Sequence, residues 1–277
     1  FYMDNGIIRI GFYSSDGIEW FGGSPGALTM AEVERMNALL DQKAAQKEAD
    51  EGAREKSIYP GDLYIYDEDC AIFSPFEAST AAVNFDYCSG YTIEITNSGP
   101  LEGVIKESGT GTVDGQAIVW ERYTSLKSNQ KFVTCRVVIK NEGSEDLSNI
   151  EFYEYMDMDL YDIPNDYAMV PLSTGDTRVH VETKYPSSQF VDNWIYQRDA
   201  SYDYHFGVLM KTPEDVTNFY VGQYYGESPP YRINVNGQTI TTGDIVIGFS
   251  WQTSVAAGAQ QEFYYGLAAP DDLATLK

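Results

Sequence analysis

The sequence predicts an all-β fold: a large, mainly antiparallel β-sandwich with one inserted α-helix near the N-terminus. Three observations lead there. Aromatic residues make up 14% of the chain, and tyrosine alone occurs 22 times; such side chains suit a pleated, half-buried surface. Short runs alternate apolar and polar residues with the period of a strand. Turn residues recur between the runs, at Asn97-Ser98-Gly99-Pro100, Asp114-Gly115, Asn141-Glu142-Gly143-Ser144 and Asn236-Gly237. Asn-Gly and Asp-Gly tolerate the positive φ that a tight hairpin requires. The 277 residues contain no repeat and no low-complexity linker, so residues 1–277 read as a single domain.

The elements follow in order. In "GIIRIGFYSSDGIEWFGG", Ile8, Ile10 and Phe12 alternate with Arg9 and Gly11. Ser14 to Gly17 supply a turn, and Ile18 and Trp20 resume the apolar set, which predicts a hairpin. A helix is predicted over about 29–55. Thr29 and Glu32 form a capping box, and Val33, Met36 and Leu40 share one face. Beyond Asp41 the pattern turns to alanine and charge, so the first turns should pack on a sheet, covering a face or edge. The alternative is a projecting arm that grips a neighbouring subunit. Strands are predicted at 63–66, 82–87, 91–96, 117–126, 132–141, 150–159, 179–182, 205–210, 218–221, 244–251 and 261–268. "GTGTVDGQ" reads as a hairpin turn, since no helix follows it and no lysine is placed for a phosphate.

Composition narrows the function classes. Acids number 42 against 18 bases, a net charge of −24. Such a chain is repelled by nucleic acid and by anionic lipid, and attracts divalent cations. No stretch approaches the ~20 apolar residues of a membrane-spanning helix. The chain begins at Phe1 rather than Met, which reads as a processed chain with a secretory signal removed. The expected location is therefore extracellular or at the cell surface. Cys70, Cys88 and Cys135 fit either one disulfide with a spare thiol for another chain, or three buried thiols. Their spacing does not suit zinc.

Four stretches in order carry a family resemblance: "NGIIRIGF", "SIYPGD", "YTSLKSNQKFVTCRVVIKNEGSEDLSNIEFYEYMDMDL" and "VIGFSWQTSVAAGAQQEFYYGLA". Their arrangement resembles the β-supersandwich domains of the galactose-mutarotase-like superfamily, found in secreted and cell-surface microbial proteins. The resemblance implies a long strand leading to N-x-G-x-x-x-L-x-N, an aromatic strand ending in Asp-x-Asp, and a late hairpin that closes the sheet. It also implies a concave face on which the family's enzymes place histidine and carboxylates. The two histidines, His180 and His205, stand in no matching motif, so no catalytic residue is carried over. The residues themselves agree with a strand at "KFVTCRVVIKN". Val133, Cys135, Val137 and Ile139 form its more apolar set and should face the core. In "IEFYEYMDMDL" the alternation is ambiguous and suggests a bulge.

Four sets of residues are candidates for function. Asp157, Asp159, Asp162, Asn165 and Asp166 offer the closely spaced oxygens that a hard cation such as Ca2+ needs, though not in EF-hand order. The same residues also fit a solvated acidic loop at a sheet edge. Asp67, Glu68 and Asp69 form a second acidic group. Glu151, Glu154, Asp157 and Asp159 invite a glycosidase reading, which needs two acids flanking one sugar bond. Trp194 with Tyr202, Tyr204, Tyr220, Tyr224, Tyr225 and Tyr231 gathers flat apolar faces with polar tips, suited to an interface or to sugar rings, or to cross-strand pairing. Taken together, the expectation is a non-catalytic structural subunit of a microbial surface assembly, self-associating into a homopolymer with Ca2+ between acidic copies. The alternative is a carbohydrate-active or glycan-binding module of the mutarotase-like superfamily, with cell-surface glycan as its partner.

Overall fold

The computed structural model describes residues 2–4, 8–13, 17–23, 62–73, 83–84, 89–99, 102–127, 132–160, 166–192, 194–199, 205–210, 217–223, 237–240 and 245–268. In chain order the strands are β1 (Tyr2–Asp4), β2 (Ile8–Tyr13), β3 (Gly17–Gly23), β4 (Asp62–Phe73), β5 (Val83–Asn84), β6 (Ser89–Gly99), β7 (Glu102–Val113), β8 (Gln116–Leu126) and β9 (Val133–Asn141). They continue with β10 (Leu147–Leu160), β11 (Asp166–Leu172), β12 (Gly175–Arg178), β13 (Thr183–Pro186), β14 (Trp194–Asp199), β15 (His205–Leu209), β16 (Asn218–Gln223), β17 (Ile245–Val255) and β18 (Gln260–Ala268).

These strands make two sheets, and every described pairing is antiparallel. The first sheet runs β1-β2-β3-β4-β10-β17-β16-β13, with β5 on β4. The second runs β12-β11-β14-β15-β18-β9-β8-β7-β6. The predicted all-β sandwich is thus the observed architecture. The predicted helix at 29–55 lies outside the described residues.

Alternation explains the second sheet. Val133, Cys135, Val137 and Ile139 are fully buried, as their pattern predicts, while Thr134 and Arg136 between them are half-exposed. Asp114 and Gly115 adopt φ of 49° and 78°, the pair of positive values that a two-residue hairpin demands. The turn is only those two residues. Gly109–Val113, read from sequence as part of it, continue strand β7. Gly109 stands opposite the fully buried Trp120 across the ladder.

Strand β10 crosses to the first sheet. Its register shifts between Leu147 and Ile150, where Asn149 has φ of 55°, just before the stretch in which a bulge is expected. A second shift, against β4, follows Asp157. In between, the alternation is regular, and Phe152 and Met156 enter the core. There Phe152 stacks on Trp251 at 5.2 Å and on Phe263 of the second sheet at 5.0 Å, and Phe249 meets Tyr265 edge-on at 5.0 Å. Such ring pairs add about 0.5–1.5 kcal/mol each beyond burial.

Residues 179–182 are not a strand, contrary to expectation. Val181 makes only an isolated bridge to Thr239, and the regular pairing lies on either side, in β12 and β13. Strands β1, β7, β11, β12, β13 and β14 lie where the sequence predicts none, because glycine, proline and charge interrupt the alternation there.

Candidate functional site

The face of the first sheet turned away from the core carries the candidate site. On β10 the core-facing Phe152 and Met156 alternate with Glu151 and Tyr153. Tyr153 pairs with Ser250 on β17, Ser250 with Asn218 on β16, and Tyr220 with Lys184 on β13. Tyr153 and Tyr220 are buried yet belong to neither apolar core cluster. Each lies flat over a glycine. The Tyr153 hydroxyl stands 2.8 Å from where a Cβ on Gly248 would be, and the Tyr220 phenol occupies the Cβ position of Gly222. Any side chain at those glycines would lift the rings off the sheet.

A shallow depression, with room for about one water molecule, lies here, lined by Tyr153, Lys184, Asn218, Phe219, Tyr220, Phe249 and Ser250. Glu151 rims it. Its Oε1 accepts from Lys184 Nζ at 3.2 Å and from the Ser250 hydroxyl. The Glu151 side chain is 19% exposed and that of Lys184 32%, so both are reachable from solvent. Tyr153 and Tyr220 are only 1% and 2% exposed, so this face presents to solvent a carboxylate acceptor beside an ammonium donor, seated on buried rings. A vicinal diol presents the complementary pair, one hydroxyl donating and its neighbour accepting. The depression is too small to enclose even one sugar ring, so a ligand meets this face at its solvent-reachable rim, Glu151 and Lys184.

A different polar group lies inside the sandwich. Glu107, Arg122 and Glu154 are all at most 1% exposed. Arg122 grips Glu107 through two bonds, Nε to Oε2 at 2.7 Å and the second guanidinium nitrogen to Oε1 at 2.9 Å. It also approaches Glu154 Oε1 at 3.6 Å, and the Tyr265 hydroxyl donates to that same oxygen at 2.5 Å. Glu154 belongs to the first sheet and the other three to the second, so the cluster ties the layers together. Strand alternation therefore separates Glu151 from Glu154, two acids that sequence reading grouped as a possible hydrolytic pair.

The other predicted residues are dispersed. Asp157 stands opposite Asp67, and Asp159 opposite Tyr64, in the first sheet. Asp166 lies in the second sheet, buried, its Oδ2 accepting from Gln197 Nε2 at 3.0 Å. Asp162 and Asn165 fall outside the described residues, as do Tyr202, Tyr204, Tyr224, Tyr225 and Tyr231. Among the described residues no group of three or more His, Cys, Asp and Glu is placed to hold a metal ion. Trp194 is 4% exposed and packs on Tyr196 at 5.0 Å, in a small cluster apart from the main core. His205 is buried 6.0 Å from the Tyr196 ring, while His180 is exposed. Burial, reinforced by the charge of Asp176, pushes the Tyr196 phenol up to about 12. Cys135 is fully buried, its Sγ 4.0 Å from the Thr124 hydroxyl; Cys70 sits on β4, and Cys88 lies outside the described residues. Among the described residues no helix is long and apolar enough to cross a membrane.

Sequence reading named Glu151 and Tyr220 but did not join them, and it missed Lys184, Asn218 and Ser250. The available signal was a pair of strand-interior glycines, Gly222 and Gly248, which mark close approach to a backbone.

Neither a family model nor a curated protein sequence matches the chain. Solved structures do. A galactose mutarotase-like protein from Lactobacillus casei ATCC 334 aligns with a TM-score of 0.54 at 8% identity, over 98% of this chain and 99% of its own. The Slr1438 protein from Synechocystis sp. PCC 6803 gives 0.54 at 7%, over 98% and 96%. The GH36 alpha-galactosidase AgaA from Geobacillus stearothermophilus gives 0.51 at 10% over 98% of this chain, which spans 40% of that enzyme's length. At such identities the likeness is one of fold, and the fold is galactose-mutarotase-like.

Proposed function

We propose that this chain, with its mutarotase-like fold, is a carbohydrate-recognition module that binds the hydroxyls of a sugar at Glu151 and Lys184, on the outer face of its first sheet. The observation that carries this reading is the solvent-reachable pair Glu151 and Lys184, bonded together with Ser250 over the buried Tyr153 and Tyr220. A carboxylate acceptor beside an ammonium donor matches the adjacent hydroxyls of a pyranose. The solved structures of like fold include proteins named for galactose mutarotase and alpha-galactosidase, and this favours the carbohydrate alternative over the surface-assembly expectation. Fold alone does not assign a reaction, so the reading rests on the site.

The test is titration of the protein with galactose, glucose and their oligosaccharides, followed by calorimetry and by amide chemical shifts. Binding at about 1 mM or tighter is expected, with oligosaccharides the stronger ligands. Lys184→Ala and Ser250→Ala should each weaken it about tenfold. No binding by any sugar, or binding indifferent to both substitutions, overturns the reading. Polarimetry of freshly dissolved galactose, run alongside, separates recognition from anomer interconversion.

A further inference from the structure

We infer that the outer face of the second sheet, across β7, β8, β9 and β18, is an interface with a second copy of this chain. The face is organised by register. Tyr264, Arg136, Tyr123 and Lys106 form one row across the four strands. Two residues along, Glu262, Val138, Glu121 and Ser108 form the next. One row is cationic and aromatic, its neighbour acidic.

The charges on this face cancel. Arg136 makes a two-pronged bond to Glu262, at 2.7 and 3.1 Å, and Lys106 pairs with Glu121 at 2.6 Å. The Tyr123 hydroxyl donates to Glu121 at 2.8 Å, and its ring lies 5.3 Å from the Arg136 guanidinium and 5.7 Å from the Lys106 ammonium. Copies of a chain with net charge −24 repel one another wherever acids dominate. A locally neutral face removes that repulsion. Alternating rows also make it self-complementary, because a two-fold rotation sets the cationic row of one copy over the acidic row of the other.

Exposed rings supply the apolar contact. Tyr264 is 42% exposed and Phe132 37%, among the few large apolar side chains so exposed in the described residues. They flank Gly266, over which Phe132 lies 3.6 Å from the position of a Cβ. The area is sufficient. Four strands about 4.8 Å apart and about 30 Å long present roughly 600 Å² in plan. Side-chain relief brings that toward the ~800 Å² per partner of a stable interface.

Sedimentation velocity across a wide concentration range tests this directly. The wild-type chain is expected to dimerise. Phe132→Ser and Tyr264→Ser should each weaken the dimer about tenfold or more while leaving the circular dichroism spectrum unchanged. Arg136→Glu should do so more strongly, and Val191→Ser, an exposed apolar position elsewhere, should not. A wild-type chain that stays monomeric throughout overturns the inference. So does a dimer that survives both ring substitutions, or one that Val191→Ser dissociates as readily.

Discussion

The Tyr153 hydroxyl lies 2.8 Å from the point where a Cβ on Gly248 would stand, on the face of β17 that carries Ser250. The ring can lie flat only because the neighbouring strand offers bare backbone. Gly248→Ala should therefore lift the phenol away from the sheet. Overpacking costs about 1–3 kcal/mol, and the entropy lost by glycine on folding returns about 0.5–1 kcal/mol of that. The expected result is a small fall in stability with a clear loss of sugar affinity, measured by urea denaturation and calorimetry on the same sample. Unchanged affinity would detach Tyr153 from the site.

Arg122 bridges two buried carboxylates, Glu107 and Glu154. Arg122→Met leaves both without their cation in a region closed to water, and should destabilise the fold by about 3–5 kcal/mol. Pairing it with Glu107→Leu removes one stranded charge, so the double variant should be more stable than the sum of the two single changes predicts. Denaturant midpoints of the four proteins give the coupling. Strict additivity would show that the bidentate contact contributes nothing of its own.

Glu262 gives a pH signature. The Arg136 guanidinium, helped by the Tyr264 hydroxyl, lowers its carboxyl from 4.5 to about 2. A carboxyl depressed in the folded state contributes stability above its unfolded value, and that contribution is lost as pH falls through the folded one. The stability advantage of wild type over Glu262→Gln should therefore be constant near neutrality. It should shrink as the pH drops below about 4.5, and be gone only below about pH 2. Because the pair is on the surface, high salt should reduce the advantage at every pH. Thermal melts across that range check the direction; an advantage that grows in acid contradicts the assignment.

Much of the scaffold is legible in the residues alone. The alternation of Val133, Cys135, Val137 and Ile139 announces a buried strand face, and Asp114-Gly115 a two-residue turn. The N-x-G-x-x-x-L-x-N stretch is explained by its geometry. Asn141 donates to the carbonyls of Glu145 and Val255 and accepts from the Gly143 amide, Leu147 is buried, and Asn149 takes the positive φ that asparagine tolerates. These are short-range facts, set by a residue and its near neighbours, so a pattern in the chain records them.

The site is of another kind. Glu151 meets Ser250 across 99 positions and Lys184 across 33, and they meet only because β10, β17, β16 and β13 are successive strands of one sheet. Strand order is decided by how the sheets share a core, not by any local period. The same packing puts Glu154 inside while Glu151, three residues earlier on the same strand, stays at the surface. Residue types determined that this chain would fold into layered sheets; which side chains face one another was left to long-range pairing, since cross-strand contacts carry no trace in local sequence.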